Sequence, residues 1–289
     1  MSALGIGSAS PVPRSQIGRF IKRNPMLVLG LVILLSIVMS AIFAPRLVGD
    51  PYGMMPSRRL LPAGSTYPLG TDPLGRDVFA RTIYGARVSL TVGLCVAAIS
   101  IVIGLGLGLI AGYIRRADAT LMRIMDALMS IPAVMLAVAL VALTQTSVIT
   151  VIVAITIPEI PRVVRLVRAV VLSVREQPFV QAAIAGGART PKVIIRHIMP
   201  STTAPLIVQA TYICASAILI EAALSFLGAG TPPSIPTWGN MIASNRLYLA
   251  KAPWTIFGPG LELALTVLAI NLIGDGLRDH LDPRLARRM

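Results

Sequence analysis

Val88-Ser-Leu-Thr-Val-Gly-Leu-Cys-Val-Ala-Ala-Ile-Ser-Ile-Val-Ile-Gly-Leu-Gly-Leu-Gly-Leu-Ile-Ala-Gly-Tyr-Ile114 runs for 27 residues without a charged side chain. A bilayer core of about 30 Å is crossed by roughly 20 helical residues at about 1.5 Å each, so this stretch is long enough to span it. It must be helical there, because lipid offers no partner to an open backbone. Gly104, Gly108 and Gly112 share a four-residue spacing, which places them on one helix face and lets another helix approach closely. Gly104-Leu-Gly106 does not open a dinucleotide fingerprint, since no strand precedes it and no phosphate reaches it within lipid.

Five more runs of this kind lie on either side: Met26–Phe43, Ile124–Leu143, Val148–Val164, Ala204–Leu227 and Trp254–Ile273. The fourth span in chain order, Val148–Val164, is interrupted by Glu159 and Arg162. The whole 289-residue composition agrees, with 55% hydrophobic residues against only 13% charged. Soluble domains carry about 25% charged residues, and disordered chains are poor in apolar ones, so both classes are excluded. The expected fold is an all-α polytopic membrane protein with six transmembrane helices.

The net charge of +14 is read against this topology. Lys and Arg number four in the N-terminal segment, three between spans two and three, seven between spans four and five and four in the tail, 18 on one side. The other side carries six, none and two, a total of eight. The positive-inside rule then puts both termini in the cytoplasm. The basic excess is thus an orientation signal, and nucleic acid is not an expected partner. Arg19, Lys22 and Arg23 before the first run resemble the start of a secretory signal. The run exceeds the usual 7–15 residues of a signal core and leads into Pro45-Arg46, so an uncleaved span is expected.

No metal or redox chemistry is expected. Cys95 and Cys214 lie inside apolar runs, and His197 and His280 are isolated from cysteine and from each other. No Gly-x-x-x-x-Gly-Lys-Ser/Thr phosphate cradle occurs, because neither Gly186-Gly187 nor Gly228 is followed by a Lys-Ser or Lys-Thr pair. The chain therefore cannot bind ATP in the P-loop manner. No catalytic residue and no cofactor are expected.

Charges within the spans are costly in lipid and mark places to look. Arg123 and Asp126, three residues apart, share a helix face and are expected to form a structural ion pair. Arg162, Arg165 and Arg168 recur every third residue and are expected to snorkel to the cytoplasmic surface, while the deeper Glu159 and Arg162 are candidates for a pathway or gate. Glu221, towards the external end of span five, is either a pathway residue or a headgroup-level carboxylate. Glu262, nearer the middle of span six, either lines the pathway or makes a helix-helix hydrogen bond. Pro132, Pro158 and Pro161 are expected to kink their helices. In the first external loop Asp72, Arg76 and Asp77, with Gly70 and Gly75, form either a self-satisfied turn or a contact for a partner.

The cytoplasmic stretch from Ser173 to Pro200 reads as a short helix opened by Pro178, with Ala182, Ala183, Ala185 and Gly187 leaving its surface almost bare. Such a helix is either an ordinary connector or a docking point. This stretch resembles the EAA loop of ABC-importer permeases, through Gln181-Ala182-Ala183, then Gly187, then Met199-Pro200. Gln181 stands where the family usually has Glu. Pro68-Leu-Gly-Thr-Asp-Pro-Leu-Gly-Arg-Asp77 with Arg81, Tyr84-Gly85-Ala86-Arg87 and Ser89-Leu90, then Glu221-Ala-Ala-Leu-Ser-Phe-Leu-Gly228 with Pro232-Pro233 and Trp238-Gly239-Asn240, and finally Gly274-Asp-Gly-Leu-Arg-Asp-His-Leu-Asp-Pro-Arg284 are similar to the dipeptide/oligopeptide/nickel branch. These motifs spread over most of residues 20–285, and the chain resembles the second, C-type permease subunit.

The resemblance implies the type I ABC importer permease fold in a bacterial inner membrane. It implies residues 1–25 as a cytoplasmic segment, 26–43 as the first span, 44–87 as an external loop, 88–277 as the ABC transmembrane core with its coupling loop at 173–200, and 278–289 as a cytoplasmic tail. It further implies a companion permease subunit, one or two ATP-binding subunits that hydrolyse ATP, and an extracytoplasmic peptide-binding protein. Gln181, Ala182, Ala183, Gly187 and Arg189 are then the residues expected to couple to the ATPase. The branch handles dipeptides, longer peptides, nickel and haem, and peptide is the expected cargo. The alternatives are a self-contained secondary transporter or channel, whose inverted repeat is not evident, and an intramembrane enzyme, for which no nucleophile and base stand out.

Overall fold

The computed structural model describes residues 24–281. Residues 1–23 and 282–289, with the terminal arginines counted towards orientation, lie outside the described residues. The described residues form nine α-helices: α1 Pro25–Leu47, α2 Val78–Tyr113, α3 Arg115–Met129, α4 Ala133–Ala142, α5 Val148–Val174, α6 Pro178–Ala185, α7 Thr190–Phe226, α8 Trp238–Asn245 and α9 Trp254–Leu281. Among the described residues the β contribution is an isolated bridge between Thr71 and Asp77.

Local chemistry sets the starts. Asp77 caps α2 by accepting from the amides of Phe79 and Ala80 at 2.8 and 3.3 Å. Ser147 does so for α5, from Thr150 at 3.1 Å, and Thr237 for α8, from Asn240 at 3.1 Å. These short polar side chains satisfy amides that the first helical turn leaves unpaired. α2 begins at Val78, ten residues before the expected second span. At 36 residues it is about 54 Å long, so its first turns stand clear of a 30 Å core. α7 carries a π turn at Ile194–Ile198 near its start.

Four helices, α1, α2, α7 and α9, are long and apolar enough to cross a membrane, and α3 with α4 would make a fifth. The expected third span, Ile124–Leu143, is not one continuous helix: α3 and α4 meet at 85° across the break. Pro132 accounts for this, since it lacks an amide donor and excludes the helical conformation for the residue before it. The expected fourth span lies within α5, whose Glu159, Arg162, Arg165 and Arg168 keep it from the apolar count. α5 continues through Pro158 and Pro161 as one helix.

Close approaches fix how the helices run past each other. A Cβ on Gly104, Gly108 or Gly112 of α2 would lie 2.4, 2.6 or 2.5 Å from the Cβ of Val163, Val167 or Val171 of α5. Each valine stands 59 positions after its glycine (163 against 104, 167 against 108, 171 against 112), so the two helices are parallel. They form the most extensive helix pair among the described residues. Leu27 of α1 meets Gly276 of α9, whereas Gly30 meets Ala269, Leu272 and Ile273, so α1 and α9 are antiparallel. α7 is antiparallel to α9 as well, with Thr211 against Gly274 and Ser201 sharing a cleft with Leu281.

The core is built from Val92, Val96, Ile155, Val163, Val167, Ile213 and Ile218 on α2, α5 and α7. α1 turns Leu31, Val32, Leu35 and Ile42 outward, each more than half exposed. Apolar side chains left bare along a span are what a lipid face requires.

Candidate functional site

Two regions hold the candidate residues. The first is the short helix α6 and its exit. Gln181, Ala182 and Arg189 are exposed and Ala183 is half-buried. Gln181 donates from Nε2 to the Arg175 carbonyl at 2.8 Å, which ties α6 back to the end of α5. α6 ends in a Schellman turn: Gly187 N–H donates to Ile184 O at 2.9 Å and Ala188 N–H to Ala183 O at 3.0 Å. This turn needs a left-handed residue, and Gly187 supplies it at φ +80°. A Cβ at Gly187 would touch nothing else in the chain. The helix is anchored by Val180, packed with Val193 and Ile198 of α7, all fully buried.

The small residues are not the whole surface. Phe179 and Ile184 stand 51% and 43% exposed on α6 itself. They were legible as apolar residues in a segment outside any span, a signal that attention to the alanines passed over.

The second region is the seam of α5 and α7 with the neighbouring α3. Three arginines of α5, three residues apart, each meet a carboxylate. Arg162 Nη1 lies 3.1 Å from Glu159 Oε1 within α5. Arg165 Nη2 lies 2.6 Å from Asp126 Oδ1, and Arg168 reaches Asp118 through Nε and Nη2 at 2.5 and 2.7 Å, both on α3. The expected pairing of Asp126 with Arg123 on its own helix gives way to this cross-helix pairing, because the bend at Pro132 lays α3 alongside α5. Partners this close satisfy the guanidinium groups.

Glu159 is fully buried, with Ser216 of α7 beside it, while the Arg162 side chain is 36% exposed and sits over the Tyr212 ring at 5.9 Å. Tyr212 is itself exposed. Below them Leu166, Ser201, Pro205, Gln209 and Arg278 line a cleft of about 650 Å³ between α5, α7 and α9.

Glu221 lies apart from that seam. It is fully buried near the end of α7, where Oε1 accepts from Ser225 Oγ at 3.0 Å and from Thr237 Oγ1 at 2.9 Å. Thr231 also lies beside the carboxylate. The bonds hold the segment carrying α8 onto α7, and Trp238, also buried, donates from Nε1 to the Thr82 carbonyl of α2 at 3.1 Å. Glu262 is half-buried in α9.

The turn at residues 70–77 is self-satisfied. Asp72 accepts from Arg76 Nε at 2.6 Å and from the Arg76 amide at 2.9 Å, both residues being buried. Burial raises the Asp77 carboxyl above its usual range, although its capping bonds to Ala80 and Phe79 pull the other way. Among the described residues no group of three His, Cys, Asp or Glu side chains is disposed to hold a metal.

The comparisons agree with this architecture. Residues 104–287 match the family described as binding-protein-dependent transport system inner membrane component, and residues 13–62 match the N-terminal transmembrane domain of oligopeptide transport permease C. The chain belongs to the binding-protein-dependent transport system inner membrane component family. It is 57% identical over 289 residues to a probable peptide ABC transporter permease protein of Sinorhizobium fredii, covering 99% of both chains. A dipeptide transport system permease of Alkalihalophilus pseudofirmus is 43% identical over 92% of this chain and 88% of its own. An oligopeptide transport system permease of Bacillus subtilis is 35% identical over 92% of this chain and 88% of its own. The expectation of an ABC permease subunit of the peptide type holds, and the secondary-transporter and enzyme alternatives fall away. The chain is a multi-pass membrane protein whose family works with a companion permease, an ATPase and a substrate-binding protein.

Proposed function

We propose that this chain is one of two different permease subunits of a peptide importer in a bacterial inner membrane, crossing it six times with both ends cytoplasmic. The observation that carries the coupling role is the projecting helix Pro178–Ala185, apolar at Phe179 and Ile184, closed by Gly187 and rooted on two long helices. An apolar knob outside the lipid layer, flanked by Arg175, Arg189, Lys192 and Arg196, suits a groove with an acidic rim on an ATPase subunit. One or two such subunits would hydrolyse ATP, since this chain has no phosphate cradle.

Helix directions support the six crossings. Parallel α2 and α5 require the chain between them to return once across the layer, and α3 with α4 supply 15 and 10 helical residues for that return. Antiparallel α1 and α9 leave residues 24 and 281 on one side, the side that collects the larger share of Lys and Arg. The permeases of similar sequence are named for peptides, which supports peptide over nickel or haem. The exposed seam around Glu159 and Arg162 would face the companion permease and line the pathway, because a half-exposed arginine this far along a span does not face lipid.

The test is reconstitution with the companion permease, ATPases and binding protein in liposomes. Phe179→Ala, which creates no backbone strain, and Gly187→Val should each lower ATP-driven peptide uptake about tenfold while the subunit still inserts. Unchanged uptake in both variants refutes the coupling role.

A further inference from the structure

We infer that Arg162 is a transient carboxylate-binding point for peptides in transit, with Glu159 as its built-in counter-ion and Tyr212 as its platform. The inference rests on the reading of the α5–α7 seam as pathway, and adds to it the chemistry that the seam recognises.

Exposure sorts the roles. Glu159 is fully buried and only Arg162 reaches the surface, so a passing solute meets a cation and never its partner. Arg162 uses Nη1 on Glu159, at 3.1 and 3.2 Å to the two oxygens. Nε and Nη2 make no hydrogen bond among the described residues. Those two donors form the edge of the guanidinium fork that takes a carboxylate in a bidentate manner. Tyr212 under the guanidinium limits its swing.

A cleft opens beside the site. Leu166, one helical turn after Arg162, lies in the 650 Å³ cleft whose walls include Ser201, Gln209 and Arg278. Ser201, Pro205, Gln209, Tyr212 and Ser216 follow one face of α7 at intervals of three or four. That face leads from the end of the span to the arginine.

Pairing with Glu159 has a function in transport. A solute must bind well enough to enter and weakly enough to leave. A lone guanidinium would hold a carboxylate firmly, whereas one already half-neutralised by Glu159 holds it briefly. The ligand group is therefore a carboxylate, from the C-terminus of a peptide or from an acidic side chain.

The experiment uses the reconstituted importer and compares ATP-driven uptake of a tripeptide with a free C-terminus, its C-terminal amide, and an amide carrying one glutamate. The ratio of rates is divided by the ratio of affinities for the isolated binding protein, which removes that protein's own preference. Arg162→Gln should lower the corrected preference for the free acid about tenfold, the worth of a charge-assisted bond. Arg162→Lys should lose part of it, and Glu159→Gln should raise it while slowing turnover at saturating peptide. Preference for the glutamate amide marks a side-chain carboxylate as the ligand, and preference for the free acid marks the C-terminus. A corrected preference near one in the wild type, or unaltered in both Arg162→Gln and Glu159→Gln, overturns the inference. If Arg162→Gln does not assemble, Glu159→Gln decides alone.

The pathway reading is separated by labelling. With Cys95 and Cys214 replaced by alanine, Ser216→Cys should react with a membrane-impermeant thiol reagent during turnover. Reaction with an unaltered carboxylate preference leaves the pathway and removes the clamp. No reaction removes both.

Discussion

Within the stretch that reads as the second span, Gly106 and Gly108 are two residues apart and should behave in opposite ways. A Cβ at Gly108 would lie 2.6 Å from Val167 Cβ, 2.9 Å from Val167 Cγ1 and 3.0 Å from Val164 O. Carbon atoms rest about 3.5–4.0 Å apart, so Gly108→Ala requires α2 and α5 to move apart by close to 1 Å. Overpacking of this kind costs about 1–3 kcal/mol. Separation on that scale also thins the contacts of Gly104 and Gly112 with Val163 and Val171, so the upper part of the range applies. A Cβ at Gly106 would meet nothing within 4 Å, and alanine there removes backbone freedom that helix formation must overcome, a gain of about 0.5–1 kcal/mol. The valine side supplies the third arm. Val167→Ala alone leaves a gap, whereas with Gly108→Ala it removes the atoms in conflict. The double variant should recover about 1 kcal/mol or more relative to the sum of the single ones. Denaturant unfolding of the purified permease complex in detergent measures all four proteins. Equal effects of the two glycine substitutions, or simple additivity of Gly108→Ala and Val167→Ala, would refute the glycine–valine seam.

Three further outcomes follow from single contacts. Reversing Arg168 to Asp should destabilise the permease by about 1 kcal/mol, as for half-exposed pairs; adding Asp118→Arg should restore it, and raised salt should shrink the difference, read by the same unfolding assay. Asp77→Ala removes the α2 cap and should cost about 0.5–2 kcal/mol, while Asp77→Asn keeps an accepting oxygen and should cost little; thermal unfolding distinguishes the two. Glu221→Ala strands the hydroxyls of Ser225 and Thr237 in a buried place, at about 1–3 kcal/mol each. Protease cleavage of residues 228–237 should then quicken while the Thr190 end of α7 stays protected.

How far the fold could be read from sequence depended on which residues carried it. The glycine stripe was legible because a four-residue spacing is a property of one helix, and the structure supplies only its partner, the valine stripe of α5. The break at Pro132 was legible as a kink but not as an 85° turn, since a single proline removes a hydrogen bond without saying which neighbour will take up the bent segment. The ion pairs were misread for the same reason. Arg123 and Asp126 satisfy a rule about one helix, whereas Asp126 with Arg165 depends on where α3 lies against α5. At the site, Arg162 and Glu159 stood out as charges in a span, but Tyr212 gave no signal by itself. Glu221 was visible as a charge near a helix end, yet its partners Ser225 and Thr237 emerge only once α8 folds back onto α7.

α5 carries Glu159, Arg162, Arg165 and Arg168 within its span-length stretch, and its end is tied to α6. Val163, Val167 and Val171 lock one of its faces against the glycines of α2, with no room to slide sideways. Arg165 and Arg168 bind another face to α3, and Arg162 looks towards α7. Arg175, just past its end, donates from Nη1 to the Gly112 carbonyl of α2 at 3.1 Å and offers its own carbonyl to Gln181 of α6. α6 is thus tied to the α2–α5 pair through Arg175 and to α7 through Val180, Val193 and Ile198. Tightly packed helices change by rigid-body steps instead of bending continuously, and α7 packs on this body closely at Gly93 of α2, against Cys214 and Ile218, beside a more open seam with α5. That seam holds Glu159, Arg162 and Tyr212. The charges that make α5 a poor membrane span thus lie along its boundaries with α3 and α7, Arg165 and Arg168 on the first and Glu159 and Arg162 on the second.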